Sequence, residues 1–345
     1  MAGAQVISGK ALIGEELELR AVDIVTDRGI ITRIEENSGA PGVWICPALF
    51  NAHTHLGDTV AMDCGARGDL TTLVTPPDGL KHRFLRATSA ENLVQAMRAS
   101  MQGMIGRGVA GCADFREGGS DGVAAFRKAS EGLSFRACIF GRDGGETDGD
   151  GLGISSVRDI TDAERQVDAA RKAGKRIAFH AGERDADDVD EALAFDPDLI
   201  VHATHATRRQ IRECADRGIP VAVCPRSNWT LGVAGSAEHP PLNLMRELGC
   251  TLMLGTDNVM FVTPDMFSEM AFVSVVYKLD PAEILRAAVR GSALGGLPFF
   301  IREGAPANLV TIDPALSALK YSSDPVASLV KRAASVGFGN NVFNL

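Results

Sequence analysis

The chain has 345 residues, of which 45% are hydrophobic and 23% charged, and its formal net charge is -9. This length accommodates one large α/β domain with a small appendage, or two ordinary domains. The acidic balance lacks the clustered lysine and arginine that bind nucleic acid or an anionic membrane. We therefore expect a protein that acts on a small molecule, with no nucleic-acid or membrane partner.

The cysteines argue for a reducing environment. There are seven of them, scattered and mostly inside apolar segments, and no CxxC pair occurs. Such usage is typical of reduced core thiols, and it argues against a disulfide framework or a thiolate zinc site. The first residues also lack a basic segment followed by an apolar core, and no run approaches a membrane span. The expected location is the cytoplasm.

Residues 1–45 contain short alternating segments with glycine at the turns, which are hairpin signals and predict a small β-sheet. Short strand-like segments return after residue 300, in REGAPANLVTIDPALSAL and VKRAASVGFGNNVFNL. The simplest interpretation is one small β-sandwich-like domain formed by residues 1–45 and 300–345. The alternative is that the tail only covers the domain between them.

From residue 46 the pattern changes to short apolar runs that alternate with amphipathic stretches, such as the capped helix predicted for residues 89–106. This alternation is typical of parallel strands with crossover helices. The predicted strands cover residues 46–54, 108–115, 135–141, 151–156, 176–182, 198–204, 219–225 and 250–257. Eight such units predict an α/β fold, a (β/α)8 TIM barrel over residues 46–299. Before the fourth strand, GRDGGETDGDG predicts a short or irregular crossover.

Barrel enzymes carry their sites at the carboxyl ends of the strands. Here His53 and His55 end the first strand, and alternate residues of a strand point to the same side, so the pair can converge on a metal ion. An isolated HxH is equally compatible with a chance pair in a loop. The other strand ends supply further candidates: His180 with Glu183 on the fifth, His202 on the sixth and Asp257 on the eighth.

Five motifs occur in a fixed order: HTH at 53–55, HAGE at 180–183, VHATH at 201–205, CPRSN at 224–228 and LGTDN at 254–258. In combination they resemble the amidohydrolase superfamily, and most of all its cytosine deaminase, guanine deaminase and chlorohydrolase-like branch. The resemblance runs from about residue 5 to the carboxyl terminus. It implies a metal-dependent TIM barrel.

The resemblance also implies roles for individual residues. It assigns one divalent metal ion, with zinc preferred and iron as the alternative, to His53, His55, His180 and Asp257. It further implies that hydroxide on the ion attacks the substrate, that Glu183 protonates a substrate nitrogen, that His202 orients the water, and that Asp257 also accepts a proton. His202 is preferred over His205 because it directly follows the apolar run DLIV.

A single metal ion is expected because dinuclear members of the superfamily carry a carboxylated lysine at the end of the fourth strand. Neither FRACIFGRDGG nor GLGISSVRD offers a lysine at that point. The nearest candidates are Lys172 and Lys175, on the following helix and turn, and Lys175 is a distant second choice for a ligand.

The predicted substrate-binding residues are Arg226, Ser227, Asn228 and Glu117. Arg226 can grip a carboxylate or phosphate or pair with a local acid, and both interpretations remain open. Ser227 and Asn228 are also ordinary turn residues. Asp58, Glu117 and residues 80–83 point toward the pocket, although each is more often a solvated charge. Residues 70–86 predict a substrate lid or an oligomer contact.

The expected function is hydrolysis of a C–N bond, with release of ammonia from an aminated nitrogen heterocycle. Ring opening of a cyclic amide or imidazolone is the alternative, and a non-catalytic ligand-binding protein is a lesser one. Glu183 and His202 favour an enzyme, because a binding protein needs no proton shuttle. Residues 151–160 lack the histidine-proline turn of the similar branch, which leaves the substrate open. A homo-oligomer suits the size.

Overall fold

The structure is a computed structural model and describes residues 4–65, 68–335 and 341–342. In this part of the chain the strands are β1 (Gln5–Ile13), β2 (Glu18–Asp27), β3 (Ile30–Glu36), β4 (Trp44–Pro47), β5 (Leu49–His55), β6 (Val109–Arg116), β7 (Arg136–Gly141), β8 (Gly151–Ile154), β9 (Arg176–Ala181), β10 (Leu199–His202), β11 (Val221–Val223), β12 (Leu252–Leu254), β13 (Asp257–Asn258), β14 (Leu309–Ile312) and β15 (Asn341–Val342).

The α-helices of the same ranges are α1 (Leu70–Leu73), α2 (Leu80–Ala87), α3 (Ala90–Gly106), α4 (Gly119–Ser130), α5 (Ala163–Lys172), α6 (Val189–Ala194), α7 (Arg208–Asp216), α8 (Pro225–Thr230), α9 (Leu242–Glu247), α10 (Met266–Val276), α11 (Pro281–Arg290) and α12 (Pro325–Arg332). Within the described residues, none of the helices combines the length and the apolar character needed to cross a membrane.

One sheet brings both ends of the chain together. Its strand order is β15-β14-β4-β1-β2-β3, with β1, β2 and β3 joined as antiparallel hairpins and β14 antiparallel to β4. The predicted hairpins at the amino terminus are confirmed. A separate small core of apolar side chains lies on this sheet: Ala11, Val22, Ile24, Ile31, Ile45, Ile301, Ala307 and Leu309. The division of the chain at residues 45 and 300 into two domains stays a prediction.

One prediction for the tail is wrong. Residues 330–332, expected as part of a strand-like segment, lie in α12. This helix has a strong start signal, because the side chain of Asp324 accepts a hydrogen bond from the amide of Ala327 and Pro325 occupies the first turn. Residues 336–340 and 343–345 of the same predicted segment lie outside the described residues.

The second sheet is the predicted TIM barrel. Its order is β12-β11-β10-β9-β8-β7-β6-β5-β13, and the pairs are parallel. Strands β12 and β13 are two parts of the eighth strand: the first pairs with β11 and the second with β5. This pairing closes the barrel, and all eight predicted strands are confirmed. Every residue of β5 and β6 is buried, as expected where helices cover the outside of a filled barrel.

The crossover between β7 and β8 is short, as predicted. Residues 142–150 contain a 3₁₀ turn at Gly145–Thr147 instead of an α-helix. Parallel neighbours ordinarily need a dozen or more connecting residues, so the chain must turn very tightly here. Glycine permits this approach, because a Cβ on Gly141 would lie 2.2 Å from the carbonyl carbon of Gly145. The tight turn leaves Arg142 directly at the carboxyl end of β7.

The connection between β5 and α3 contains α1 and α2. We call its residues 68–87 the cover segment. His82 lies in α2, which begins at Leu80 directly after Gly79. Its Nε2 lies 3.1 Å from the carbonyl oxygen of Val74, which ties α2 to the rest of the cover segment.

Replacement of Gly255 by alanine should weaken barrel closure. A Cβ at this position would lie 2.7 Å from both the Cβ and the amide nitrogen of His53, so β5 or the eighth strand must move. We expect the free energy of unfolding, measured by urea titration, to fall by about 1–3 kcal/mol. Gly235→Ala is the control, because a Cβ there meets no atom within 4 Å. Equal stabilities of the two variants would contradict this account of closure.

Candidate metal centre

Three imidazoles and one carboxylate converge at the carboxyl end of the barrel. Nε2 of His180 lies 3.2 Å from Nε2 of His53. Oδ1 of Asp257 lies 3.1 Å from the same atom of His53 and 3.5 Å from Nε2 of His55. Ligands held about 2.1 Å from one ion in a tetrahedral arrangement lie roughly 3.4 Å from each other. The donor atoms of His53, His55 and His180 all lie within 4.8 Å of one another, and so do those of His53, His202 and Asp257, so each of these groups has the spacing of ligands to a metal ion.

Burial sets the protonation of these donors. It lowers the pKa of His53 to about 4 and holds the pKa values of His55 and His180 well below the ordinary range. These imidazoles are neutral at pH 7 and have lone pairs to offer. Burial opposes ionisation of Asp257, but the hydrogen bond with His53 holds its pKa below the ordinary value. Three neutral nitrogens and one carboxylate are a donor set that suits a divalent metal such as zinc or iron.

The second ring nitrogens of two histidines face fixed acceptors. Nδ1 of His180 lies 2.8 Å from the carbonyl oxygen of Ile154. Nδ1 of His55 lies 2.9 Å from Oε1 of Glu117 and 3.1 Å from the carbonyl oxygen of Phe115. An N–H at Nδ1 satisfies each of these acceptors and leaves Nε2 free to face the centre. Such partners orient metal-binding histidines and fix their tautomer.

Glu183 and His202 lie beside this centre. Nε2 of His202 is 3.6 Å from Oε1 of Glu183, and burial raises the pKa of Glu183 above its ordinary value. His202 has a φ of 74° and Asp257 a φ of 62°, in the left-handed region that costs a non-glycine residue about 1–3 kcal/mol. Strain of this kind persists where the surroundings impose it, and it is common at functional sites.

His205, the competitor of His202, points elsewhere. Its ring stacks on that of His239 with 4.7 Å between centroids, and its Nε2 lies 2.9 Å from the carbonyl oxygen of Val233. Of the two histidines in VHATH, His202 is the one that the structure brings to the candidate metal centre.

Ser227 and Asn228 are buried on α8 and contact side chains of the centre. The hydroxyl of Ser227 donates to Oδ2 of Asp257 over 2.6 Å. Nδ2 of Asn228 lies 3.3 Å from Nδ1 of His202. These contacts hold Asp257 and His202 in place, and the predicted contact of Ser227 and Asn228 with substrate stays a prediction.

Arg226 is engaged with a local acid. Its amide donates to Oε1 of Glu269 over 2.9 Å and its Nε lies 3.7 Å from Oε2 of the same residue. The guanidinium also donates to the carbonyl oxygens of Asp265 and Thr263. Of the two interpretations left open by the sequence, the structure contains the local ion pair. Glu269 is fully buried, and burial raises its pKa to about 7.

Asp58 and Glu117 are not solvated charges, and this alternative interpretation is wrong for both. Asp58 is 1% exposed and Glu117 7%. Lys81, from the LKHR stretch, is 2% exposed and lies 2.8 Å from Oε1 of Glu117. Their charges are compensated inside the protein, where the low dielectric makes ion pairs strong and unpaired charges costly.

Arg142 is a site residue that the sequence did not indicate. Its Nη2 lies 3.2 and 3.3 Å from the two ring nitrogens of His180, so the guanidinium sits over the imidazole. Its Nη1 lies 3.2 Å from Oε1 of Glu117. GRDGG is an ordinary turn sequence, and the available signal was its position directly after the third barrel strand.

Lys175, the second choice for a metal-binding lysine, lies away from the centre. It precedes β9, at the opposite end of that strand from His180. Its ammonium donates to the backbone carbonyls of Glu146, Thr147 and Gly149 and so stabilises the short crossover before β8.

A cavity opens above the centre, and the cover segment forms part of its wall. Leu70, Val74, Thr75 and Pro76 of that segment line it. This is the position expected of the predicted lid. Lys81 of the same segment also lines it, and on the barrel side the lining includes His55, Arg142, His180, Glu183, His202 and Asp257. Glu183 therefore lines the same cavity as three of the four candidate metal ligands, His55, His180 and Asp257.

Comparison with known proteins agrees with this geometry. The model of the amidohydrolase family matches residues 44–337. The chain belongs to the amidohydrolase family. A protein of Methanothermobacter thermautotrophicus, provisionally named an aminohydrolase, is 34% identical over 95% of this amidohydrolase and 94% of its own length. The 5-methylthioadenosine/S-adenosylhomocysteine deaminase of Halobacterium salinarum is 26% identical over 89% of this chain and 83% of its own.

Solved structures share the fold of this amidohydrolase. The adenosine deaminase from Xanthomonas campestris, solved with bound zinc, has a TM-score of 0.76 and 18% identity over 94% of this chain and 88% of its own. The atrazine chlorohydrolase from Arthrobacter aurescens, complexed with zinc, has a TM-score of 0.78 and 18% identity over 94% and 90%. The family resemblance predicted from the five motifs is confirmed.

Replacement of His53 by alanine should abolish metal binding. It removes a donor that faces both His180 and Asp257, so the remaining ligands no longer surround one ion. We expect the metal content, measured by mass spectrometry after zinc loading and gel filtration, to fall from about one ion per chain to near zero. His239→Ala is the matched control, because His239 lies outside the centre. Full metal content in the His53 variant would refute the ligand assignment.

Proposed function

We propose that this amidohydrolase is a zinc-dependent aminohydrolase that releases ammonia from an aminated nitrogen heterocycle. One observation carries the proposal: the carboxyl of Glu183, whose pKa burial raises, lines the same cavity as His55, His180, His202 and Asp257, which belong to the two groups of candidate metal ligands. Acid catalysis beside an activated water is what hydrolysis of an amidine-like C–N bond requires.

The related proteins support the choice of substrate class. The relatives include a named aminohydrolase and a deaminase of adenosine-derived thioethers, and the adenosine deaminase and the chlorohydrolase of the same fold were both solved with zinc. A further structure of the chlorohydrolase contains zinc and atraton. These proteins favour zinc over iron and a small heterocycle over other substrates.

A zinc ion held by His53, His55, His180 and Asp257 supplies Lewis-acid activation of water. Glu183 contributes the proton. Because burial raises its pKa, its carboxyl can be protonated when substrate enters and can give that proton to the ring nitrogen beside the attacked carbon. The hydroxyl group adds to that carbon and the amine leaves as ammonia, so a C–O bond replaces the C–N bond.

Asp257 and His202 lie where they can accept and transfer the proton that water loses. Asp257 is ionised, and Ser227 fixes its carboxylate by donating to Oδ2, so it is a positioned base. His202 is held through Nδ1 by Asn228 and directs Nε2 toward Glu183 and the centre. A proton can therefore move between water, Asp257 and the leaving amine within a few ångströms.

The first experiment is ammonia release from zinc-loaded protein against aminopurines, aminopyrimidines, their nucleosides and aminotriazines. Release with one compound that a chelator abolishes and added zinc restores is the expected result. Protein with one zinc per chain that releases no ammonia, but consumes a cyclic amide with ring opening, would overturn the aminohydrolase assignment.

Glu183→Gln should retain zinc and lose turnover. The amide keeps the size and polarity of the carboxyl but carries no transferable acidic proton, so kcat should fall by about 10²–10⁴-fold. Zinc content is measured on the same sample to separate chemistry from metal loss. Glu191→Gln, at an exposed position of α6, is the control and should keep the wild-type kcat. Wild-type turnover in the Glu183 variant would remove this residue from the mechanism.

A further inference from the structure

One cationic side chain of the cover segment is buried against the barrel. Lys81, near the start of α2, is 2% exposed, and its ammonium reaches a cluster beneath the cavity. Nζ lies 2.8 Å from Oε1 of Glu117, 3.3 Å from Oδ2 of Asp58 and 3.3 Å from Nδ1 of His55. A buried lysine is stable only beside partners such as the carboxyl groups of Glu117 and Asp58, so this position is specific for the ammonium group; Nδ1 of His55, which donates to Glu117, is a neighbour and not an acceptor.

One carboxylate oxygen joins the cover segment to the candidate metal ligands. Oε1 of Glu117 lies 2.8 Å from the ammonium of Lys81 and 2.9 Å from Nδ1 of His55. The other oxygen, Oε2, accepts a hydrogen bond from Arg116 over 2.7 Å. Rotation of the Glu117 carboxylate therefore alters its contact with His55 and its contact with the Lys81 ammonium together.

Asp58 depends on the same ammonium. It is 1% exposed, and neither of its carboxylate oxygens accepts a hydrogen bond from the residues that the structure describes. The ion pair with Lys81 at 3.3 Å compensates its charge. Without the ammonium, a buried carboxylate loses this partner, and α2 loses the contact that draws it onto the barrel.

The contact reaches the cavity wall through the cover segment itself. Nε2 of His82 lies 3.1 Å from the carbonyl oxygen of Val74, and Val74 lines the cavity beside Thr75 and Pro76. The buried position of the Lys81 ammonium is thus linked, through α2, to the position of the residues that line the cavity.

We propose that Lys81 is a positioning residue that couples the closed position of the cover segment to retention of the metal ion, through Glu117 and His55. The inference rests on the metal-ligand part of the proposed function and is independent of ammonia release. When Lys81 is seated, Glu117 is fixed and His55 is held with Nε2 toward the ion. When it is withdrawn, Glu117 loses a constraint and the metal ion is less firmly bound.

The test is Lys81→Met, which keeps an unbranched apolar stem and removes the ammonium. Two quantities are measured on zinc-loaded protein: the rate of zinc transfer to an excess of chromogenic chelator, and hydrogen exchange of peptides that cover residues 68–87. We expect zinc transfer to accelerate about 10–100-fold, as for loss of other partners of ligand histidines, and exchange in the cover segment to rise. Arg83→Met removes a cation from an exposed position of the same helix and should match wild type in both.

Only a joint change supports the coupling. Faster exchange with unchanged zinc transfer would mean that Lys81 merely anchors the cover segment, and faster zinc transfer with unchanged exchange would mean a local effect on His55. Either result overturns the proposal. Unchanged values of both would overturn it as well.

Wild-type protein provides a second test in case Lys81→Met does not fold. Coupling is reciprocal, so removal of zinc should raise exchange in residues 68–87 more than in α5, which lies away from the centre. Equal exchange with and without zinc would overturn the proposal. Neither measurement uses a substrate, so the coupling can be tested even on a protein that holds zinc but releases no ammonia. A protein that binds no zinc would overturn both the coupling and the proposed zinc-dependent function.

Discussion

The candidate site depends on one backbone contact, the pairing of the eighth barrel strand with the first. In this pairing Asp257 lies opposite Thr54 and Asn258 opposite His55. The amide of Thr256 donates to the carbonyl oxygen of His53, which fixes the register one step earlier. Residues 204 positions apart in the chain thereby present an imidazole and a carboxylate to the same point. Since side chains alternate along strands, a shift by one residue would separate them.

Two residues of the candidate site have strained backbone, and one of them lies at the closure. Asp257 adopts a left-handed backbone conformation just where the eighth strand joins the first, and His202 does so at the end of the sixth. Asp and His enter this region more often than most non-glycine residues, but it remains costly for them, so packing and hydrogen bonds must hold them there. Ser227 supplies such a hydrogen bond to Asp257, and Asn228 supplies one to His202. These two residues of the CPRSN motif therefore stabilise the positions of Asp257 and His202 at the centre.

The parts of the fold that were predictable follow from local pattern. Alternating apolar runs and amphipathic stretches identified all eight barrel strands, and parallel strands necessarily bring His53, His55, His180, His202 and Asp257 to one end. Lys81 and Arg142 could not be placed in this way, because they lie in connections whose paths depend on tertiary packing. Arg226 was ambiguous for a similar reason: its partner Glu269 is 43 residues away on α10. The helix at residues 325–332 was missed although Asp324 and Pro325 provide local start signals.

The charges beneath the cavity have a consequence for chemistry. The carboxylates of Asp58, Asp114 and Glu117 are matched by the cations of Lys81, Arg116 and Arg142, with Arg116 bridging Asp114 and Glu117. The cluster thus holds three acidic and three basic groups, and burial raises the pKa of Asp58 to about 7. Burial lowers the pKa values of His53, His55 and His180 and raises that of Glu183, whereas the hydrogen bond with His53 holds the pKa of Asp257 below its ordinary value. A divalent ion held at this centre would supply Lewis-acid activation of water, while Glu183 lies where it can protonate the substrate nitrogen beside the attacked carbon.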